Sequence, residues 1–150
     1  MCGINGFALA GDERVDARIA QAMNHALVHR GPDEGGVADL GFAALAMRRL
    51  SIVDIADGHQ PMRSADGRWT LVYNGEIYDF EKLRGPLEAN GARFATRSDT
   101  EVVLHSWIAH GARALNSFNG MFGFAIADAH ERSVTLARDP LGIKPLYYAI

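Results

Sequence analysis

A single cysteine in 150 residues excludes any disulfide within the chain. A reducing compartment is the setting such usage fits. No apolar run approaches the roughly 20 residues of a membrane-spanning helix. Residues 2–9 carry no basic leader of the kind that opens a signal peptide, so the cytoplasm is the expected location. Basic charge is also scarce. Fifteen Lys and Arg against eighteen Asp and Glu give a net charge of −3, which leaves no footprint for nucleic acid and no polybasic membrane patch. Neither a phosphate-cradling loop nor a dinucleotide glycine fingerprint occurs, so ATP is not expected on this chain. His25 and His29 stand four apart, a spacing that can bind zinc. The Glu that the protease motif places between them is missing and no third ligand is evident, so no metal is assigned.

What remains is an ordinary globular composition, 48% hydrophobic and 22% charged. One domain of this length buries roughly 68–70% of its unfolded surface and needs no covalent staple. The patterning predicts a buried strand over residues 2–10, then a helix carrying Val15, Ile19, Met23, Ala26 and Leu27 and stopped by Gly31-Pro32. Strands are expected around 36–40 and 42–47, followed by a polar loop over 57–67. A further strand over 69–73 should end at Asn74-Gly75. A helix over 80–89 is weakened by Gly85-Pro86. Ser98-Asp99-Thr100-Glu101 has the form of a capping box and opens a helix that ends near Gly111. Residues 121–128, 133–138 and 146–150 read as three late strands. Strands come in sets with helices between them, and the regular alternation of a doubly wound sheet is absent. The expected class is α+β, with antiparallel sheets covered by helices.

Several residues are candidates for chemistry. Cys2 would ordinarily be a small buried hydrophobe. Only Met1 precedes it, however, and removal of Met1 would put a thiol and a free α-amine on one residue. That amine, with an unperturbed pKa of about 7.7–8.0, can accept and return a proton near neutrality. Asn74-Gly75 is the strongest short hairpin signal. It would equally supply a side-chain amide and a backbone N–H to a developing oxyanion. Arg49 is either a solvated strand-end charge or a bidentate grip on a carboxylate. Asp99 is either a first-turn helix acid or a seat for an ammonium group. Taken together, Arg49 and Asp99 would hold the zwitterionic end of a free amino acid.

Eight strings fall in one order along nearly the whole chain. They are Met1-Cys2-Gly3-Ile4 with Gly6, His29-Arg30-Gly31-Pro32-Asp33, Arg49-Leu50-Ser51-Ile52-Val53-Asp54 and Gln60-Pro61. Tyr73-Asn74-Gly75-Glu76-Ile77-Tyr78, Ser98-Asp99-Thr100-Glu101, Gly120-Met121-Phe122 and Arg138-Asp139-Pro140-Leu141-Gly142 complete the set. This order resembles the class II glutamine amidotransferases, and within them the asparagine-synthetase branch.

The resemblance implies an N-terminal-nucleophile hydrolase fold, a four-layer α/β/β/α sandwich of antiparallel sheets. It implies Cys2 as nucleophile, Asn74 and Gly75 as oxyanion hole, and Arg49 on the α-carboxylate of glutamine. Asp99, Glu76 and the backbone at Ile52 and Val53 would hold the α-amine. Ammonia from the side-chain amide would pass to a synthetase domain, where ATP and Mg would serve amidation of aspartate. No cofactor is expected on this chain itself. Glutamine is the expected substrate, a synthetase domain the partner in cis, and a homodimer one compatible assembly. Compared with the family, residues 1–150 would be an amidotransferase domain incomplete at its C-terminus, with the synthetase domain absent. Other readings are a non-catalytic binding or assembly module, a glutaminase serving another acceptor, and an N-terminal-nucleophile acylase for another amide.

Overall fold

The computed structural model describes residues 2–50 and 58–150. Two antiparallel sheets form its centre. The first contains β1 (Gly3–Ala8), β2 (Glu34–Asp39) and β3 (Ala43–Arg49), in the spatial order β1-β3-β2. The second contains β4 (Met62–Arg63), β5 (Trp69–Ile77), β6 (Gly120–Asp128) and β7 (Ser133–Arg138), in the order of the chain. Helix α1 (Ala17–Ala26) packs on the outer face of the first sheet. On the second, α3 (Asp99–His110) packs against β5, and α2 (Phe80–Ala89) packs against α3. A 3-10 helix, Gly111–Ser117, follows α3 directly. The result is the expected α/β/β/α layering.

Alternation along the strands assigns each layer its core. Leu71, Tyr73 and Ile77 of β5 face α3 together with Phe122, Phe124 and Ile126 of β6. Val72, Ala125 and Ala127 point the other way and meet Leu45 and Met47 of β3 between the sheets. A period of two puts successive side chains on opposite faces, so both faces of β5 and β6 are buried. Trp107 and Phe124 meet edge-on with centroids 5.9 Å apart, a favoured aromatic geometry.

Helix α1 is joined to its sheet by a buried amide as well as by apolar contact. Asn24 Nδ2 donates to Met47 O at 3.1 Å and Gly36 O at 3.4 Å, while Asn24 Oδ1 accepts from Asn5 Nδ2 at 3.1 Å. One side chain thus touches all three strands of the first sheet. This satisfies a polar group whose unpaired burial costs roughly 1–3 kcal/mol.

Four sequence expectations are corrected. β5 does not turn at Asn74-Gly75. It runs to Ile77, with Asn74 opposite Gly123 and Gly75 opposite Phe122 of β6. The first helix stops at Ala26, and turns of the backbone, not helix, carry residues 27–30. The polar loop contains the short strand β4. Residues 146–150 are not a strand and have no ladder partner among the described residues. There the apolar alternation had suggested pairing, but strand structure requires a neighbour to supply the hydrogen bonds. Tyr147 and Tyr148 are exposed. The capping expectation holds with a modification. Ser98 Oγ accepts from Glu101 N at 3.4 Å, but the Glu101 carboxylate accepts from Ala95 N and Thr96 N and so secures the approach to the helix.

Where β6 ends, Arg68 forks onto the buried Asp128 at 2.9 and 2.6 Å, and His130 N donates to the same carboxylate at 2.9 Å. The Arg68 hydrogen bonds hold Asp128 down at about 2. A depressed folded pKa adds stability above the unfolded value near 3.9, lost as pH falls through about 2. Asp128→Asn should therefore lower the thermal midpoint at pH 7. Its deficit against the parent should shrink steadily as melts are run from pH 4 toward pH 2.

Candidate active site

The site assembles where the ends of the two sheets meet. Gly3 pairs with Arg48 in the β1–β3 ladder, and extending that register by one residue sets Cys2 opposite Arg49. Cys2 is half-buried and packs against the apolar cluster between the sheets, and its Sγ lies 3.9 Å from Leu50 O. Arg49 shares the inward face of β3 with Met47 and Leu45 by strand alternation and is only 5% exposed. Its Nη1 donates to Glu34 Oε2 at 3.3 Å, and the second oxygen of Glu34 lies 2.5 Å from His59 Nδ1. A guanidinium so deeply buried needs an anion, and Glu34, directly across the ladder, supplies one.

The opposite wall comes from β5. Asn74 shares the face of Val72, which packs in the same inter-sheet cluster as Cys2, so its amide is on the thiol's side of the strand. The backbone of Gly75 is oriented by the ladder. Phe122, its partner, gives its C=O to Asp139 N at 2.8 Å and its N–H to Asp139 Oδ2 at 3.1 Å. With both polar groups of Phe122 turned toward Asp139, Gly75 across from it directs its own N–H away from β6. At the same edge two residues earlier, the Gln60 side chain replaces a strand. Its Oε1 accepts from Tyr73 N at 2.7 Å and its Nε2 donates to Tyr73 O at 3.2 Å. Two residues later, Ile77 N donates to Asp99 Oδ2 at 3.0 Å. The Gly75 N–H thus lies between a filled position and an anchored carboxylate.

Glycine is required at this point for space. A Cβ on residue 75 would sit 2.5 Å from Met121 O and 2.7 Å from Phe122 Cβ. Close approach of the two strands, not a turn, is what this glycine permits.

Asp99 opens α3, and its Oδ2 accepts from the Tyr73 hydroxyl at 2.7 Å as well as from Ile77 N. Burial pushes the carboxyl up from its usual range, against the lowering effect of those two hydrogen bonds. The nearby charge of Glu76, exposed on β5, pushes the same way as burial. Burial also drives the Tyr73 phenol far above its ordinary value, with Asp99, Glu76 and Cys2 adding to the shift. Tyr73 therefore remains a proton donor at any physiological pH. The same interactions place Cys2, Tyr73, Glu76 and Asp99 in one electrostatic neighbourhood.

Of the sequence candidates, Cys2, Arg49, Asn74, Gly75, Glu76 and Asp99 are placed around this junction. Ile52 and Val53 lie outside the described residues. His29 lies past the end of α1, with Nδ1 3.1 Å from Ala26 O. Sequence reasoning did not assign roles to Gln60, Glu34, Tyr73 or Asp139. Gln60, Tyr73 and Asp139 stand inside strings already noted, but a side chain that substitutes for a strand leaves no periodic signal.

Two antiparallel sheets between helical layers, with a half-buried cysteine beside the end of one sheet, are the architecture of the N-terminal-nucleophile hydrolase fold. A glutamine amidotransferase domain model matches residues 1–150, and the chain belongs to that family. Asparagine synthetase [glutamine-hydrolyzing] 1 of Bacillus subtilis is 40% identical over 154 residues, covering 99% of this chain and 24% of the relative. A putative asparagine synthetase [glutamine-hydrolyzing] of Mycobacterium tuberculosis (strain ATCC 25618 / H37Rv) is 42% identical over 165 residues, covering 99% and 25%. The chain thus spans about a quarter of the length of these curated relatives. Among solved structures, a glutamine phosphoribosylpyrophosphate amidotransferase from B. subtilis superposes with a TM-score of 0.74 at 23% identity, over 95% of this chain and 38% of that one. At that identity the likeness shows a shared fold.

Proposed function

We propose that this domain hydrolyses the side-chain amide of free glutamine through a Cys2 thioester. The observation that carries the reading is the meeting of Cys2 and Arg49 at the end of one sheet with Asn74 and Gly75 of the other. The Cys2 thiolate attacks the amide carbon, and its proton rests on the α-amine of the same residue. The carbonyl oxygen takes up negative charge between the Asn74 amide and the Gly75 N–H. Collapse of this intermediate returns the proton to nitrogen and expels ammonia. Water then adds to the thioester and releases glutamate, which restores the thiol.

Recognition falls to the charged groups. Arg49 binds the α-carboxylate of glutamine, and Asp99, with Glu76 and the backbone at Ile52 and Val53, binds the α-ammonium. The names of the relatives support a further step, in which the ammonia amidates aspartate to asparagine in an ATP- and Mg-using synthetase domain. Among the described residues no helix is long and apolar enough to cross a membrane, and the cytoplasm is the location this chemistry fits.

Incubation of the purified chain with glutamine tests the reading. Equal amounts of glutamate and ammonia are expected. Release of acid from N-acyl amides with no glutamate from glutamine would replace it with the acylase reading. Arg49→Ala and Asp99→Asn should each weaken glutamine binding by about 2–5 kcal/mol, the cost of breaking a buried charge pair. Both contacts exist in the ground state, so KM should rise more than kcat falls. In a full-length enzyme, synthesis from free ammonia should survive both substitutions. Its loss would indicate a folding defect.

A further inference from the structure

The Tyr73 side chain lies on the face of β5 that packs on α3, the opposite face from the nucleophile, and it is 2% exposed. Its ring would be an adequate core element as phenylalanine. The hydroxyl is nevertheless spent on a single acceptor, Asp99 Oδ2, at 2.7 Å. Ile77 N donates to that same oxygen at 3.0 Å. Two donors on one oxygen, with a further backbone hydrogen bond from Thr100, limit the rotation of the carboxylate.

The scaffold behind this pair is tied to both elements. Gln60 grips the Tyr73 backbone on both its N–H and its C=O, and its Nε2 also reaches Thr100 Oγ1 at 3.4 Å. The residue that carries the hydroxyl and the residue next to Asp99 therefore share one buried amide. Movement of α3 relative to β5 would break the hydrogen bonds of Asp99 and Thr100 together.

We propose that the Tyr73 hydroxyl is the positioning group for substrate selection, holding the Asp99 carboxylate aimed so that the site prefers an amide substrate bearing an α-ammonium. The inference rests on the proposed role of Asp99 in binding the α-amine. Tyr73 itself touches no substrate atom and acts only through the carboxylate. Tyr73 and Glu76 from β5 are the titratable groups that act on this carboxylate, and Cys2 acts on the Tyr73 phenol. Burial and Glu76 oppose its charge, and the hydroxyl is the nearest group that favours it. Removal of the hydroxyl raises the Asp99 pKa further, so the ionised form is lost at a higher pH as the solution is acidified.

Calorimetric titration of the Cys2→Ala chain, which binds without turnover, with L-glutamine and with its deamino analogue 4-carbamoylbutanoate tests this. The Cys2→Ala chain should bind glutamine more tightly than the analogue. Adding Tyr73→Phe should weaken glutamine binding at least tenfold, about the value of a hydrogen bond to a charged group, and leave the analogue unchanged. The pH below which glutamine binding fails should also move upward. Equal weakening of both ligands, or loss of both, would show a packing role for Tyr73 and overturn the inference. An unchanged preference for glutamine would overturn it as well. Absence of any preference in the Cys2→Ala chain alone would instead overturn the assignment of Asp99 to the α-amine.

Discussion

Replacement of Cys2 by alanine is expected to abolish glutamine hydrolysis and to leave the fold intact, with a change in stability of about 1 kcal/mol or less. The thiol lies at the edge of the inter-sheet cluster, half-buried, and makes one long contact with Leu50 O. Little packing is lost with it. The chemistry, by contrast, has no substitute. The chain has no other thiol, and Asn74 and Arg49 can bind but not attack. The proposed base is the α-amine of the same residue, which requires that Met1 be absent. Intact mass should show its removal, and thermal melts of parent and variant should superpose closely. Full activity in a form that verifiably retains Met1 would contradict the mechanism even if the alanine variant were inactive.

The second large effect belongs to Asn74. Asn74→Ala should lower kcat by roughly 10²–10³-fold, the usual loss for one oxyanion donor. KM should change much less, because the oxyanion forms only in the transition state. The position of Asn74 in the ladder makes this a clean test. Its backbone pairs opposite Gly123 in the middle of a nine-residue strand, so the side chain is not required to form a turn. A purely structural asparagine would lose stability on substitution and keep its turnover. Steady-state kinetics and denaturant titration on the same preparation separate the two.

The fate of Asn74-Gly75 also shows where sequence reading stops. The dipeptide after a β-rich run is a local hairpin signal, and local patterning offered no means to prefer the oxyanion reading. What rules out the hairpin is a partner more than forty residues away. β6 continues the ladder through both residues, and Asp139 occupies the polar groups of Phe122 so that the Gly75 N–H turns outward. By contrast, the strands at β1, β3, β6 and β7 and the N-cap of α3 were legible, because alternation and capping are written within a few residues; the four-layer order came from the family resemblance. Pro86 lies inside α2 without ending it, as Leu87 anchors the helix in the core. Residues 146–150 carried a strand pattern with no strand neighbour among the described residues.

The candidate site followed the same division. Cys2, Arg49, Asn74, Gly75, Glu76 and Asp99 were named from ordered strings, and the register then accounts for their meeting. The supporting shell was not legible. Glu34 on Arg49, Gln60 on Tyr73 and Tyr73 on Asp99 are hydrogen bonds across 15, 13 and 26 residues of chain. Such pairs have no spacing rule, because they depend on which strands become neighbours.

Asp139 is one of the least exposed carboxylates in the chain, at 2%. Burial alone would raise its pKa, but backbone N–H groups of Lys144, Ile143, Phe122 and Leu141 outweigh that and hold it below the usual range. It thereby fastens the segment after β7 to the start of β6, directly behind the proposed oxyanion hole.

The central claim is that a covalent γ-glutamyl thioester forms on Cys2. Rapid acid quenching of the chain during turnover of isotopically labelled glutamine, followed by peptide mass spectrometry, tests it most directly. The account predicts label on the N-terminal peptide, with Cys2 as its first residue, and loss of that label on treatment with hydroxylamine. Steady release of glutamate with no label ever found on Cys2, at quench times shorter than one turnover, would contradict it.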